Sequence, residues 1–102
     1  MFTQNVYDEV HKLYKVWSEY DTFDEIIYLA VENLNGYFYL YKLDFFNDKA
    51  YILPIYIDDA VEEHQKSYGF SEDEAIEVVL NNFLDQAGFL DGWLEITNLK
   101  QV

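Results

Sequence analysis

The chain of 102 residues has no cysteine and no arginine, one proline, one methionine and four glycines. Without cysteine there is no disulfide framework, no thiolate zinc site and no thiol nucleophile. That absence suits a reducing compartment, and the cytoplasm is expected. Without arginine there is no guanidinium clamp for a phosphate or an oxyanion. No apolar run approaches the ~20 residues of a membrane-spanning helix. Met1-Phe2-Thr3-Gln4-Asn5 lacks the basic-then-apolar order of a secretion signal. A Gly-rich phosphate loop and a G-x-S-x-G elbow are both missing. His11 and His64 do not have H-E-x-x-H spacing, and the acids do not alternate as in a calcium loop. No enzyme, no metal and no cofactor are expected.

What the chain has is acid. Twenty Asp and Glu face six Lys, a formal charge of −14. Disordered acidic tails carry such charge with few apolar residues. Here 51% of residues are hydrophobic and 20% aromatic. A folded core under a negative coat follows. The length fits one domain spanning 1–102, since no linker, repeat or low-complexity tract interrupts it. Such a surface is repelled by bare nucleic acid and by anionic lipid, so neither is an expected direct partner. It suits a basic protein.

The expected fold is α+β, a small antiparallel sheet packed against three to four helices. Residues 4–19 read as a helix, because Val6, Val10, Leu13 and Trp17 line one face. Residues 25–34 read two ways. Thr22-Phe23-Asp24-Glu25 has capping-box form, and Phe23, Ile27, Val31 and Leu34 keep helical spacing. Yet Ile26 to Val31 is rich in strand formers, and Asn35-Gly36 is a hairpin signal. The helix is the preferred reading, with a strand over 25–33 as the alternative.

Residues 37–46 are the clearest strand, and Tyr51–Ile57 returns after a turn at Asn47-Asp48-Lys49 to complete a hairpin over 37–57. Pro54 cannot donate to a ladder, so the second strand is expected at an edge, or bulged there. Both faces of this hairpin are apolar, so one is expected against helices and the other against a further strand or a partner, a second copy included. Asp59 opens another helix that ends at Gly69. Ser71-Glu72-Asp73-Glu74 is a second capping box, before a helix that buries Ile76, Val79, Leu80, Phe83 and Ala87 and stops at Gly88. Asp91-Gly92 turns into a short strand over 93–97.

The acid is uneven. Residues 58–77 hold Asp58, Asp59, Glu62, Glu63, Glu72, Asp73, Glu74 and Glu77 against Lys66 alone. First-turn acids are stabilised by the helix dipole, which explains part of this. The shortage of partner cations is not explained by stability. Asp59 with Glu63, and Asp73 with Glu77, are each offset by one helical turn, roughly 6 Å, comparable to phosphate spacing along a DNA strand. Tyr20, Tyr28, Tyr56 and Tyr68 lie beside acids or near element ends and are expected as aromatic anchors. Asp21, Asp24 and Glu25 form a second acidic group.

In size, missing Cys and Arg, acidic helices and aromatic load, the chain resembles the small acidic inhibitors that phages and mobile elements direct against host nucleases, namely anti-restriction DNA mimics and some anti-CRISPR proteins. Asn5-Val6-Tyr7-Asp8, followed by Thr22-Phe23-Asp24-Glu25, is similar to the start of one anti-restriction mimic over a few dozen residues. That mimic is mainly helical, so the aromatic hairpin departs from it and its fold does not carry over. The resemblance implies an inhibitor that fills the basic channel of a nuclease or CRISPR effector. An immunity protein or antitoxin against a cationic nuclease toxin uses the same surface. An assembly module dimerising through the hairpin is the reading from a different class.

Overall fold

The computed structural model describes residues 1–102. Its centre is a five-stranded antiparallel meander in sequence order: β1 (Lys15–Asp21), β2 (Ile26–Glu32), β3 (Phe38–Asp44), β4 (Lys49–Ile55) and β5 (Leu94–Ile96). The three helices are α1 (Phe2–Leu13), α2 (Asp58–Tyr68) and α3 (Glu72–Asp85). The fold is α+β, and no helix is long and apolar enough to cross a membrane.

Strand side chains alternate between faces, and here both faces are apolar. Tyr28, Ala30, Phe38 and Leu40 point to one side, where Val61 of α2 and Ile76, Val79 and Leu80 of α3 cover them. Leu29, Val31, Tyr41 and Leu43 point to the other, under Val6 and Val10 of α1. The hairpin therefore lies inside the sheet with both faces covered by the chain's own helices. The expectation that one face is left for a partner or a second copy does not hold.

The helix expected over 4–19 ends at Leu13, and Tyr14 is already extended at φ −122°, ψ 157°. The stripe Val6–Val10 is buried as expected, but its continuation through Leu13 and Trp17 is coincidental. Leu13 is exposed, and Trp17 sits on β1, in the bulge between Val16 and Ser18. The segment 25–34 is a strand, the alternative reading. Ile26, Ile27, Tyr28 and Val31 suit a strand buried on both faces, and β2 is paired on both sides. Thr22 caps no helix. Its Oγ donates to Ile26 O at 2.9 Å and accepts from Asp24 N at 3.2 Å, closing a tight loop in which Phe23 and Glu25 both take φ +63°.

Strand β4 starts and ends two residues earlier than expected. Because β5 pairs only with Ala50–Ile52, the outer edge of β4 is open at Pro54, as its missing N–H requires. Asp59 is the second residue of α2, whose N-cap Ile57 supplies no side-chain bond; Gly69 closes the helix at φ +69°. The Ser71 capping box forms, with Ser71 Oγ accepting from Glu74 N and Glu74 Oε1 from Ser71 N. α3 ends at Asp85, and a 3-10 turn over Ala87–Phe89 contains Gly88. Helix α1 has no cap of its own. Asp48, from the β3–β4 turn, accepts from Thr3 N at 2.9 Å and Phe2 N at 3.3 Å and ties α1 to the sheet.

Candidate functional site

Of the twenty carboxylates, only Glu62 (to Lys66, 2.7 Å) lies in an ion pair with a lysine; Glu19 stands 3.6 Å from His11 Nε2. Five of the six lysines pair with no acid. Two lie instead over aromatic rings, Lys15 over Trp17 and Lys42 over Tyr51. Asp58, Asp59, Glu62 and Glu63 are exposed along the outer side of α2, as are Glu72, Asp73, Glu74 and Glu77 on α3.

These acids are not equivalent. Glu74 is held in the capping box, and the Ser71 backbone N–H keeps its carboxyl below the usual range. The bond to Lys66 does the same for Glu62. The two offset pairs also occupy different flanks. Asn81, one turn beyond Glu77, accepts from Ser18 Oγ of β1 at 2.7 Å. Helical geometry therefore turns Asp73 and Glu77 towards the β1 side. The opposite flank of α3, with Val79, Asn82 and Phe83, meets Ala60 and His64 of α2 across a cavity of about 160 Å³. Asp59 and Glu63 thus belong to a separate stripe.

The two helices bring acid together at their N-terminal ends. Asp58 and Glu72 share a cavity of about 210 Å³ with Glu32 at the end of β2. Its floor is apolar, formed by Phe38, Ile57, Val61 and Ile76. A second cavity of about 270 Å³ shares the wall of Gly36, Phe38, Ile57 and Asp58 and extends to Tyr37 and Tyr56. Tyr56 is 70% exposed, and the negative charge of Asp59, Asp58 and Glu62 raises its ionisation above the ordinary phenol value. Tyr37 is 65% exposed, and Leu34 at the tip of the β2–β3 turn is 99% exposed.

Tyr68 is exposed at the far end of α2, its ring 5.6 Å from His64 and 5.5 Å from Phe70. Tyr20, Asp21, Asp24 and Glu25 are exposed around the β1–β2 turn. Strand register puts that turn beside Asp44 and Lys49, whereas Glu32 pairs with Phe38 and Phe38 with Ile55. The second acidic group therefore lies at the opposite end of the sheet from the cavities, one seven-residue strand or about 20 Å away. Asp21 is also occupied there, accepting from Phe23 N. Tyr28 is only 6% exposed, packed beside Trp93, and is no anchor.

Sequence reasoning missed Glu32, Leu34 and Tyr37. The signal was Asn33-Leu34-Asn35-Gly36-Tyr37, which reads as a turn only once 25–33 is read as a strand. Asn33 Oδ1 accepts from both Asn35 N and Tyr37 N, and Gly36 takes φ +83°, so Leu34 is carried at the tip. Each histidine donates its Nδ1 proton to a carbonyl four residues back, His11 to Tyr7 and His64 to Ala60. No three His, Asp or Glu side chains converge in metal-ligating geometry. Comparison with protein-family models, with curated proteins and with solved structures finds no match.

Proposed function

We propose that the chain is a protein inhibitor that occupies the basic nucleic-acid-binding surface of a nuclease or CRISPR effector, in the cytoplasm, standing in for a phosphate backbone. The observation that carries this reading is the unpaired acid on rigid helices: exposed carboxylates of α2 and α3 with Lys66 as the only cation paired among them. A surface shaped for stability alone gains by placing a lysine one turn after an acid. This one leaves Asp59–Glu63 and Asp73–Glu77 without such partners. Long-range attraction to a cationic groove speeds encounter, and exposed tyrosines slow release.

The test is a variant carrying Asp59→Asn, Glu63→Gln, Asp73→Asn and Glu77→Gln. None of these four side chains makes a hydrogen bond or ion pair within the fold. The variant is expected to stay folded, because relief of self-repulsion offsets the lost first-turn dipole contacts of Asp59 and Asp73, and to lose capture of the nuclease from a host lysate. The parent's captured protein is expected to be released by added DNA or RNA. Undiminished capture by the variant, or capture indifferent to nucleic acid and salt, overturns the reading.

A further inference from the structure

Resting on the reading above that the partner is cationic, we infer that the docking centre is the end of the molecule where the β2–β3 turn meets the start of α2, and that its two adjoining cavities receive an arginine side chain of the partner. The helix stripes then steer, and this end anchors. Three features at one place support it. The first is shape: the cavities share a wall, have an apolar floor, and are rimmed by the exposed rings of Tyr37 and Tyr56. The second is a carboxylate held in place. Trp17 Nε1 donates to Glu32 Oε1 at 2.9 Å, while Oε2 has no partner and lies 4.0 Å from where a Cβ on Gly36 would stand. Gly36, required there by its φ of +83°, thus brings the backbone of the turn alongside Oε2. The third is charge complementarity: Asp58 and Glu72 stand at the same cavity in no ion pair, and Lys15, the cross-strand neighbour of Glu32, lies over the Trp17 ring and does not pair with the carboxylate.

Arginine fits this arrangement better than lysine. Its stem lies along apolar surface while its head stays with polar groups. Its planar fork offers five donors to several carboxylates at once, and it stacks on tyrosine faces. The opposite end of the sheet has Asp21, Asp24 and Glu25 but no such concavity.

The experiment is an NMR titration of the intact chain with acetyl-Gly-Arg-Gly-amide, with the citrulline peptide as the neutral control of the same shape. Saturable shifts are expected at the amides of Gly36, Phe38, Ile57 and Asp58 and at the Trp17 indole N–H, which reports on Glu32. The citrulline peptide is expected to leave them unmoved. Glu32→Gln, which keeps an acceptor for Trp17, is expected to weaken arginine binding roughly tenfold, the scale of one charge-assisted hydrogen bond. Asp58→Asn is expected to act in the same direction. Shifts spread equally over the β1–β2 turn and α3, no saturable shift, or an equal response to citrulline each overturn the inference. If the peptide fails to localise while nucleic acid still displaces the chain from a captured nuclease, this docking end is wrong and the decoy reading stands.

Discussion

Tyr41 is fully buried between the sheet and α1; its hydroxyl faces that of Tyr14, but the two do not meet in hydrogen-bonding geometry. Burial first, and the neighbouring Tyr14 hydroxyl second, push its ionisation far above the ordinary phenol value. A buried donor left unsatisfied carries a penalty of about 1–3 kcal/mol. Tyr41→Phe removes the hydroxyl and keeps the ring, so thermal unfolding of that variant is expected at the same temperature as the parent or higher. A clear drop in melting temperature would mean that the hydroxyl has a partner in solution. Aromatic residues elsewhere divide by position: Tyr28 completes the core, whereas Tyr37 and Tyr56 sit where the chain turns and stay in water.

At the scale of elements, acids close helix ends as well as face solvent. The capping box of α3 is local, and Ser71→Ala is expected to destabilise the protein by about 1 kcal/mol in denaturant unfolding. The cap of α1 is long-range. Asp48 is held below the usual carboxylate range, first by the Thr3 backbone N–H, and Glu74 likewise by that of Ser71. A carboxyl lowered on folding adds stability that is present above its unfolded value and lost as pH falls through the folded one. Stability measured in high salt, where general repulsion is screened, is therefore expected to fall on acidification below the ordinary carboxylate range. Asp48→Asn is expected to flatten that fall, because its amide still accepts a bond but does not titrate. An unchanged slope would remove Asp48 from the account. The ambiguity over 22–34 also belongs to this scale. Thr22-Phe23-Asp24-Glu25 satisfies a helix-start pattern, yet the same hydroxyl, with the Asp21 carboxylate just before it, closes a strand-to-strand loop.

For the whole molecule, a charge of −14 on 102 residues sets two effects of salt against each other. Screening relieves self-repulsion, so the melting temperature is expected to rise between low and high ionic strength. The same screening weakens attraction to a cationic partner, so affinity is expected to fall over that range. Parallel changes in stability and affinity would argue that the charge serves only solubility. The principal extents of 43 × 27 × 20 Å make the separation of sites matter. Acids 21–25 and the cavities at Asp58 occupy opposite ends of the sheet, so one compact groove would not engage both with a single residue.

Composition alone determined the class of molecule: an aromatic core under unpaired acid, with no thiol or guanidinium chemistry. Local pattern was enough for the β3–β4 hairpin, the Ser71 box and the helices behind Asp58 and Ser71, because period and capping act over a few residues. Tertiary structure decided the rest. Residues 15–21 and 26–32 pair with each other, and 26–32 pairs again with 38–44, so hydrogen bonds with the neighbouring strands on both sides outweighed a helical stripe of four residues. The cavity at Glu32, Asp58 and Glu72 draws on three elements separated in sequence, and no spacing rule reaches across them. Charge is additive along a chain and can be counted, whereas concavity exists only after the chain has folded back on itself.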